Sequence, residues 1–212
     1  MKVAIFGTGE VGKALARGFL AEGQQVMLGS REPAKLTEWA TEAGTGASVG
    51  TSEEAAKFAD VAVVATAWPG TENALSLAGP ANLAGKVVID VTNPLVYVPE
   101  RPPELAIGHT DSGGEQVQRW LPGARVVKAF NTVGFGQFYK PAFPDGPPDM
   151  FICGNDAEAK KTVTGILKSF GWPAIDIGGI EGARLLEPLC ILWVTYAMQN
   201  RSRDHAFKLL RK

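Results

Sequence analysis

The chain has 212 residues, of which 45% are apolar and 20% charged, with a formal net charge of −1. That length suits one nucleotide-binding domain with its own core plus a small extension. The near-neutral balance, with no basic run interleaved with aromatics, gives no electrostatic case for nucleic acid.

Val3 to Phe6 is an apolar, β-rich run, and Gly7-Thr8-Gly9-Glu10-Val11-Gly12 follows at once. Lys13 to Ala21 has helical spacing of apolar and small residues. Gln25 to Leu28 reads as a second strand and Pro33 to Ala43 as a helix, with Ser30 as its expected N-cap. A strand near Ala47 to Val49, a helix from Ser52 to Phe58, and buried-type strands at Val61 to Thr66 and Lys86 to Val91 continue the alternation. Pro94 to Thr110 is proline-rich and loop-like. Gly113 to Trp120 is helical and Arg125 to Phe130 is a sixth strand. Phe135 to Asp149, rich in Gly, Pro and aromatics, is expected to be a long ordered loop. Met150 to Cys153, a helix from Ala157 to Phe170, and Ala174 to Ile177 give one more β-α-β pattern. Gly182 to Asn200 is an apolar helix. Strands alternating with helices predict an α/β, Rossmann-type, doubly wound and mostly parallel sheet with right-handed crossovers. The expected organisation is a single domain over 1–212, with a nucleotide-binding core over about 1–130 and a small integrated C-terminal α/β part over about 131–212.

Met1-Lys2 runs straight into the first strand with no signal-peptide cleavage site, and the apolar stretch Ile191 to Met198 is too short to span a bilayer. The two cysteines, Cys153 and Cys190, lie in apolar contexts. Two buried free thiols in a reducing cytoplasm are therefore expected rather than a disulfide. No membrane association is expected.

A glycine pattern alone is weak evidence, but here it has the required context of a preceding strand and a following helix. Gly7 permits a tight turn, Gly9 lets the backbone approach a pyrophosphate, and Gly12 lets helix and strand pack closely. Amides at the helix start and the helix dipole would hold phosphates. The end of the second strand selects between cofactors. An NAD enzyme usually places Asp or Glu there to bind the ribose 2′-hydroxyl. This chain has Gly29-Ser30-Arg31. Arg31 can pair with a 2′-phosphate as a fork, Ser30 can donate a hydroxyl, and Lys35 follows one helical turn later. Glu32 is expected to point away at helical spacing. The cofactor predicted from these residues is NADP(H).

Gly7 to Gly12 followed by Gly29-Ser30-Arg31 and Lys35 resembles the deazaflavin-dependent NADP oxidoreductase family, the NADPH-dependent coenzyme F420 reductases. The resemblance continues at Asp90-Val91-Thr92-Asn93-Pro94, Val127-Lys128-Ala129-Phe130-Asn131-Thr132, Cys153-Gly154-Asn155-Asp156 and Glu181 to Leu189. The reductase domain of vertebrate metalloreductases is similar as well. The resemblance implies a homodimer and hydride transfer between NADPH and a flavin-like ring, a deazaflavin coenzyme or a flavin. Carried onto matching positions, it implies that Thr8, Gly9, Glu10 and Val11 contact the pyrophosphate. Ser30, Arg31 and Lys35 would hold the 2′-phosphate. Ala67, Trp68 and Asn93 would lie along the cofactor, and Asn131, Thr132 and Gly134 would lie near the nicotinamide and the acceptor.

Hydride transfer between two stacked rings needs positioning and exclusion of water rather than a protein nucleophile. No catalytic side chain and no metal site is therefore assigned. His109, in a polar loop, is either a general acid or a surface residue. Asp90 either contributes to a site at a strand end or satisfies loop amides. Trp68, Phe135, Phe138 and Tyr139 either stack on an acceptor ring or simply pack. His205, in a basic tail, is given no role. Three rival readings stand beside the deazaflavin reductase. One is a reductase of flavin, ferric chelates or quinones. Another is a carbonyl or imine reductase, disfavoured because the roughly 30 residues after Ile180 are too few for the helical domain such enzymes use. The last is a non-catalytic NADPH sensor. The apolar C-terminal helix is expected to form a dimer contact and to help wall the acceptor site.

Overall fold

The structure, a computed structural model, describes residues 1–212. Strands β1 (Lys2–Phe6), β2 (Gln25–Ser30), β3 (Ala47–Thr51), β4 (Val61–Val64) and β5 (Val87–Asp90) are parallel to one another. A short antiparallel hairpin follows, made of β6 (Leu95–Val96) and β7 (Glu104–Leu105). Strand β8 (Arg125–Lys128) rejoins the sheet parallel to β5. Strand β9 (Met150–Gly154) runs antiparallel to β8, and β10 (Ala174–Asp176) is parallel to β9. The order across the eight-stranded sheet is β10-β9-β8-β5-β4-β1-β2-β3. The order of succession of the strands reverses between β1 and β4, which is where ligands sit in open α/β sheets.

The helices are α1 (Glu10–Ala21), α2 (Thr37–Ala43), α3 (Ser52–Phe58), α4 (Thr71–Ala78), α5 (Gly113–Trp120), α6 (Ala157–Ser169) and α7 (Ala183–Asn200). They cover both faces of the sheet, so its central strands bury both sides and read as continuous apolar runs. Alternate residues of β1 divide accordingly. Val3 and Ile5 pack with Leu15 and Phe19 of α1 and Val163 and Leu167 of α6. Ala4 and Phe6 pack with Ala55 of α3, Leu75 of α4 and Val117 of α5.

Several elements differ from expectation. Pro33 to Ala43 is not one helix: a 3-10 turn over Pro33–Leu36 precedes α2, and its N-cap is Glu32. Ser30 is instead the last residue of β2, and its Oγ accepts from the Glu32 amide at 3.0 Å. Helix α4 was not apparent in the sequence because its apolar face is narrow, burying only Leu75 and Ala78 behind Thr71. The hairpin β6–β7 lies inside the proline-rich stretch expected to be loop. The last twelve residues fold back onto the chain: the Asp149 amide donates to the Phe207 carbonyl at 2.9 Å, and the Leu209 amide donates to Asp149 Oδ2 at 2.7 Å.

Candidate active site

The turn after β1 makes the first cavity. Gly7 has φ +125°, and a Cβ there would strike the Ala65 carbonyl. Gly12 passes so close to the Gly7 carbonyl that it too admits no side chain, so its role is packing rather than lining. Gly9 has open space beyond its Cα. The main-chain amides of Glu10 and Val11, at the start of α1, have no acceptor in the chain, and Gly9 offers no side-chain cap. Unsatisfied amides at the positive end of a helix fit an anion such as a pyrophosphate.

The cavity here has a volume of about 890 Å³. Gly7, Thr8, Gly9, Glu10 and Val11 form one wall, Ser30, Arg31 and Lys35 one end, and Ala67, Trp68 and Asn93 the other. Arg31 is exposed and pairs with no carboxylate. Glu32 does not point away: it lines the cavity, and its carboxylate lies 2.7 Å from Lys35 Nζ. Both partners are mostly exposed, so the pair is worth little and Lys35 is easily released to a stronger anion. Gly29 sits against Phe6, Ala55 and Ser52, where a Cβ would come within 3.0–3.2 Å of them. Packing under α3 therefore excludes a longer side chain at that position, whatever its charge.

A second cavity of about 700 Å³ adjoins the first, and Leu95 and Tyr97 of the hairpin line both. Its other walls are Gly134 to Gln137, the outer half of α7, and Arg201 to Asp204. Trp193 lies in its wall with only an edge exposed. It is wedged against Gly134, where a Cβ would lie 3.0 Å from its ring, and it stacks on His205 with centroids 4.5 Å apart. Its Nε1 donates to the His205 carbonyl at 2.9 Å. His205 thus has a packing role that composition did not suggest.

Asn131 and Thr132 are buried and line neither cavity. Asn131 acts one step back. Its Nδ2 donates to Asn93 Oδ1 and to the Leu186 carbonyl, both at 3.0 Å, and Asn93 Nδ2 donates to the Asn131 carbonyl at 2.9 Å. Of the loop aromatics, Trp68 stacks on Trp120 at the wall of the first cavity and Phe135 lines the second. Phe138 and Tyr139 are packing residues, set against Phe130 and Phe170 respectively. His109 is exposed and lines neither cavity.

Behind Asn93 lies a buried ionic cluster whose members are far apart in sequence. Lys128 Nζ, at the end of β8, donates to Asp90 Oδ2 at 2.7 Å and to the Thr92 carbonyl at 2.8 Å, and lies 3.0 Å from Glu187 Oε1. Asp90 Oδ1 accepts from the Thr92 amide and hydroxyl. Glu187 accepts the Gly113 and Gly114 amides at the start of α5, each at 3.0 Å. All three ionic side chains are essentially inaccessible. Burial alone would depress the lysine, but Asp90 and Glu187 outweigh it and hold the ammonium above the ordinary lysine range. Helix α5 offsets the second carboxylate with its N-terminal amides. Asp90 therefore serves the loop, fixing the Thr92–Asn93 turn at the edge of the first cavity.

A doubly wound sheet with free amides at its glycine turn, opening on a large cavity, defines a dinucleotide-binding protein of Rossmann type. Comparison with known proteins agrees. The family described as NADP oxidoreductase, coenzyme F420-dependent, matches residues 2–94. The F420-dependent NADP reductase of Methanocaldococcus jannaschii is 30% identical, over 99% of this chain and 98% of that protein. The crystal structure of a putative F420-dependent NADP reductase from Arthrobacter sp. FB24 superposes with a TM-score of 0.94 at 36% identity, covering 100% of both chains. The chain also matches the rat metalloreductase STEAP3 at 33% identity, but spans only 36% of its length. The chain belongs to the F420-dependent NADP reductase family and is an NADP-dependent oxidoreductase. No helix is long and apolar enough to cross a membrane.

Proposed function

We propose that this chain carries a hydride between NADPH in the first cavity and a deazaflavin ring in the second. The observation that carries the reading is that Leu95 and Tyr97 line both cavities, so that rings bound in the two would lie close to one another there. When bound, NADPH supplies a hydride from its nicotinamide, and the acceptor ring completes its reduction with a proton from solvent. The amides of Glu10 and Val11 hold the pyrophosphate, with Thr8 and Gly9 beside it. Ser30, Arg31 and Lys35 hold the 2′-phosphate, Lys35 exchanging Glu32 for it. Ala67, Trp68 and Asn93 line the ribose and nicotinamide end, and Asn131 supports it from behind through its bonds to Asn93. Gly134 admits Trp193 to the acceptor wall, where its ring excludes water. The relatives named as F420-dependent NADP reductases support a deazaflavin as acceptor.

The test is NADPH oxidation assayed in parallel with F420, FMN and a ferric chelate. The expected result is the highest kcat/KM with F420. Faster turnover of FMN or the chelate would replace the deazaflavin, and tight NADPH binding without turnover of any of them would make the protein a sensor.

The same reading takes the chain as a homodimer in the cytoplasm, folded as one domain. Leu185, Leu192 and Tyr196 repeat along α7 at helical spacing and are 69%, 56% and 51% exposed. A stripe of that kind is suited to a second copy. A monomer by solution mass measurement overturns the dimer.

A further inference from the structure

The chain's arginines divide into engaged and free groups. Arg101, Arg119 and Arg184 pair with carboxylates, and Arg125 donates to the Gly85 carbonyl. Arg17, Arg31, Arg201, Arg203 and Arg211 pair with none, and three of these five, Arg31, Arg201 and Arg203, line a cavity. Arg31 sits at the end of the first cavity where a phosphate is read. Arg201 and Arg203 sit together on the second. Arg201 caps α7 in a left-handed conformation, φ 50°, uncommon for a residue with a Cβ. That turn carries the chain back across the mouth of the cavity, so residues 201 to 204 all line it. One carboxylate shares the rim. Asp204 accepts from Gln137 Nε2 at 3.2 Å and pairs with neither arginine. The rim therefore keeps a net positive charge beside an apolar chamber walled by Trp193, Phe135 and Met198.

A cation at the end of α7 is favoured by the helix dipole, which acts over the last turn. That accounts for Arg201 but not for Arg203, which lies beyond the cap with an unoccupied guanidinium. Guanidinium forks match phosphate oxygens, and two on one rim match a phosphate or phosphodiester better than a lone carboxylate.

Resting on the reading of the second cavity as the acceptor site, we propose that Arg201 and Arg203 form an anion-binding rim that selects ring acceptors carrying a phosphorylated side chain over the same rings without one. The ring lies against Trp193, and its side chain leaves the cavity between the two guanidinium groups. These residues determine specificity and take no part in the hydride transfer itself.

The experiment compares two pairs of acceptors with saturating NADPH. The first pair is coenzyme F420 and its 8-hydroxy-5-deazariboflavin core, which lacks the phosphorylated tail. The second is FMN and riboflavin. The ratio of kcat/KM, phosphorylated over unphosphorylated, is measured for the wild type, Arg201→Gln, Arg203→Gln and the double variant, at low and high salt. A melting curve for each variant confirms that it is folded. The expected result is a ratio well above one for the wild type, falling about tenfold in the double variant through KM, with most of its salt dependence lost. Arg203→Gln is expected to account for a substantial part of that fall. A ratio that is the same in the folded double variant as in the wild type overturns the proposal. Turnover of none of the four acceptors by protein that still binds NADPH overturns the acceptor reading beneath it.

Discussion

Asn131 and Asn93 bond to each other twice, side chain to side chain at 3.0 Å and side chain to main chain at 2.9 Å. Only Asn93 lines a cavity. Asn131 is a positioning residue that orients the Asn93 amide and, through the Leu186 carbonyl, ties it to α7. Asn131→Ala removes that support and leaves Asn93 free to rotate. The expected result is a fall in kcat of about tenfold with a much smaller change in NADPH affinity, since the phosphate contacts are remote. Steady-state kinetics together with an NADPH titration separates the two. An equal loss in both would mean that Asn131 acts on the fold alone.

Arg31 lines the first cavity without a carboxylate partner, beside Ser30 and Lys35, where we propose that the 2′-phosphate binds. Arg31→Ala is expected to weaken NADPH binding about tenfold to a hundredfold while leaving kcat nearly unchanged. NADH binding, which lacks the 2′-phosphate, should change little. Fluorescence titration with both nucleotides checks this, and equal NADPH affinity in variant and wild type would remove Arg31 from the cofactor site.

Lys128→Met leaves Asp90 and Glu187 buried without their cation. Breaking a buried pair on one side typically costs about 3–5 kcal/mol. Urea unfolding at pH 8 measures it. In the variant the stranded carboxylates favour protonation, so the deficit should shrink as pH falls towards 6. The wild-type lysine behaves in the opposite sense. Its folded pKa is raised, so its contribution is complete below the ordinary lysine pKa and declines only as pH climbs above it. A Lys128→Met deficit that does not vary between pH 8 and 6 would contradict this account.

Cys153 and Cys190 are buried, and burial pushes both thiols up to about 12. Almost no thiolate forms at pH 8, and thiolate is the reactive species. Native protein is therefore expected to resist iodoacetamide and to label at both positions in denaturant, as read by intact mass. Fast labelling of either residue in native protein would mean that its surroundings open.

Much of the site was legible because it is local. The glycine turn, the strand before it and the Ser30-Arg31 pair lie within one β-α-β unit, so spacing alone specifies their arrangement. The ionic cluster was not legible in the same way. Asp90 and Lys128 each close a β-rich apolar run and Glu187 interrupts an apolar helix, far apart in sequence. Opposite charges inside buried runs must find one another, and that was the available signal. Glu32 faces the cavity, against the helical spacing, because the chain makes a 3-10 turn after it. The second cavity was invisible since its walls come from the hairpin, the Gly134 turn, α7 and a tail that looked merely basic.

The Lys128 cluster also imposes an order of assembly. The Gly113 and Gly114 amides find their acceptor in Glu187, 74 and 73 residues later in the chain. Asn93 likewise waits for Asn131, 38 residues on. The glycine turn closes on partners nearer in the chain, the last of them Ala65, whose amide donates to the Phe6 carbonyl at 2.7 Å. A chain leaving the ribosome N-terminus first has every residue of the glycine turn and Ala65 before Glu187 exists, and the Asn93 wall is fixed only when the last helix docks.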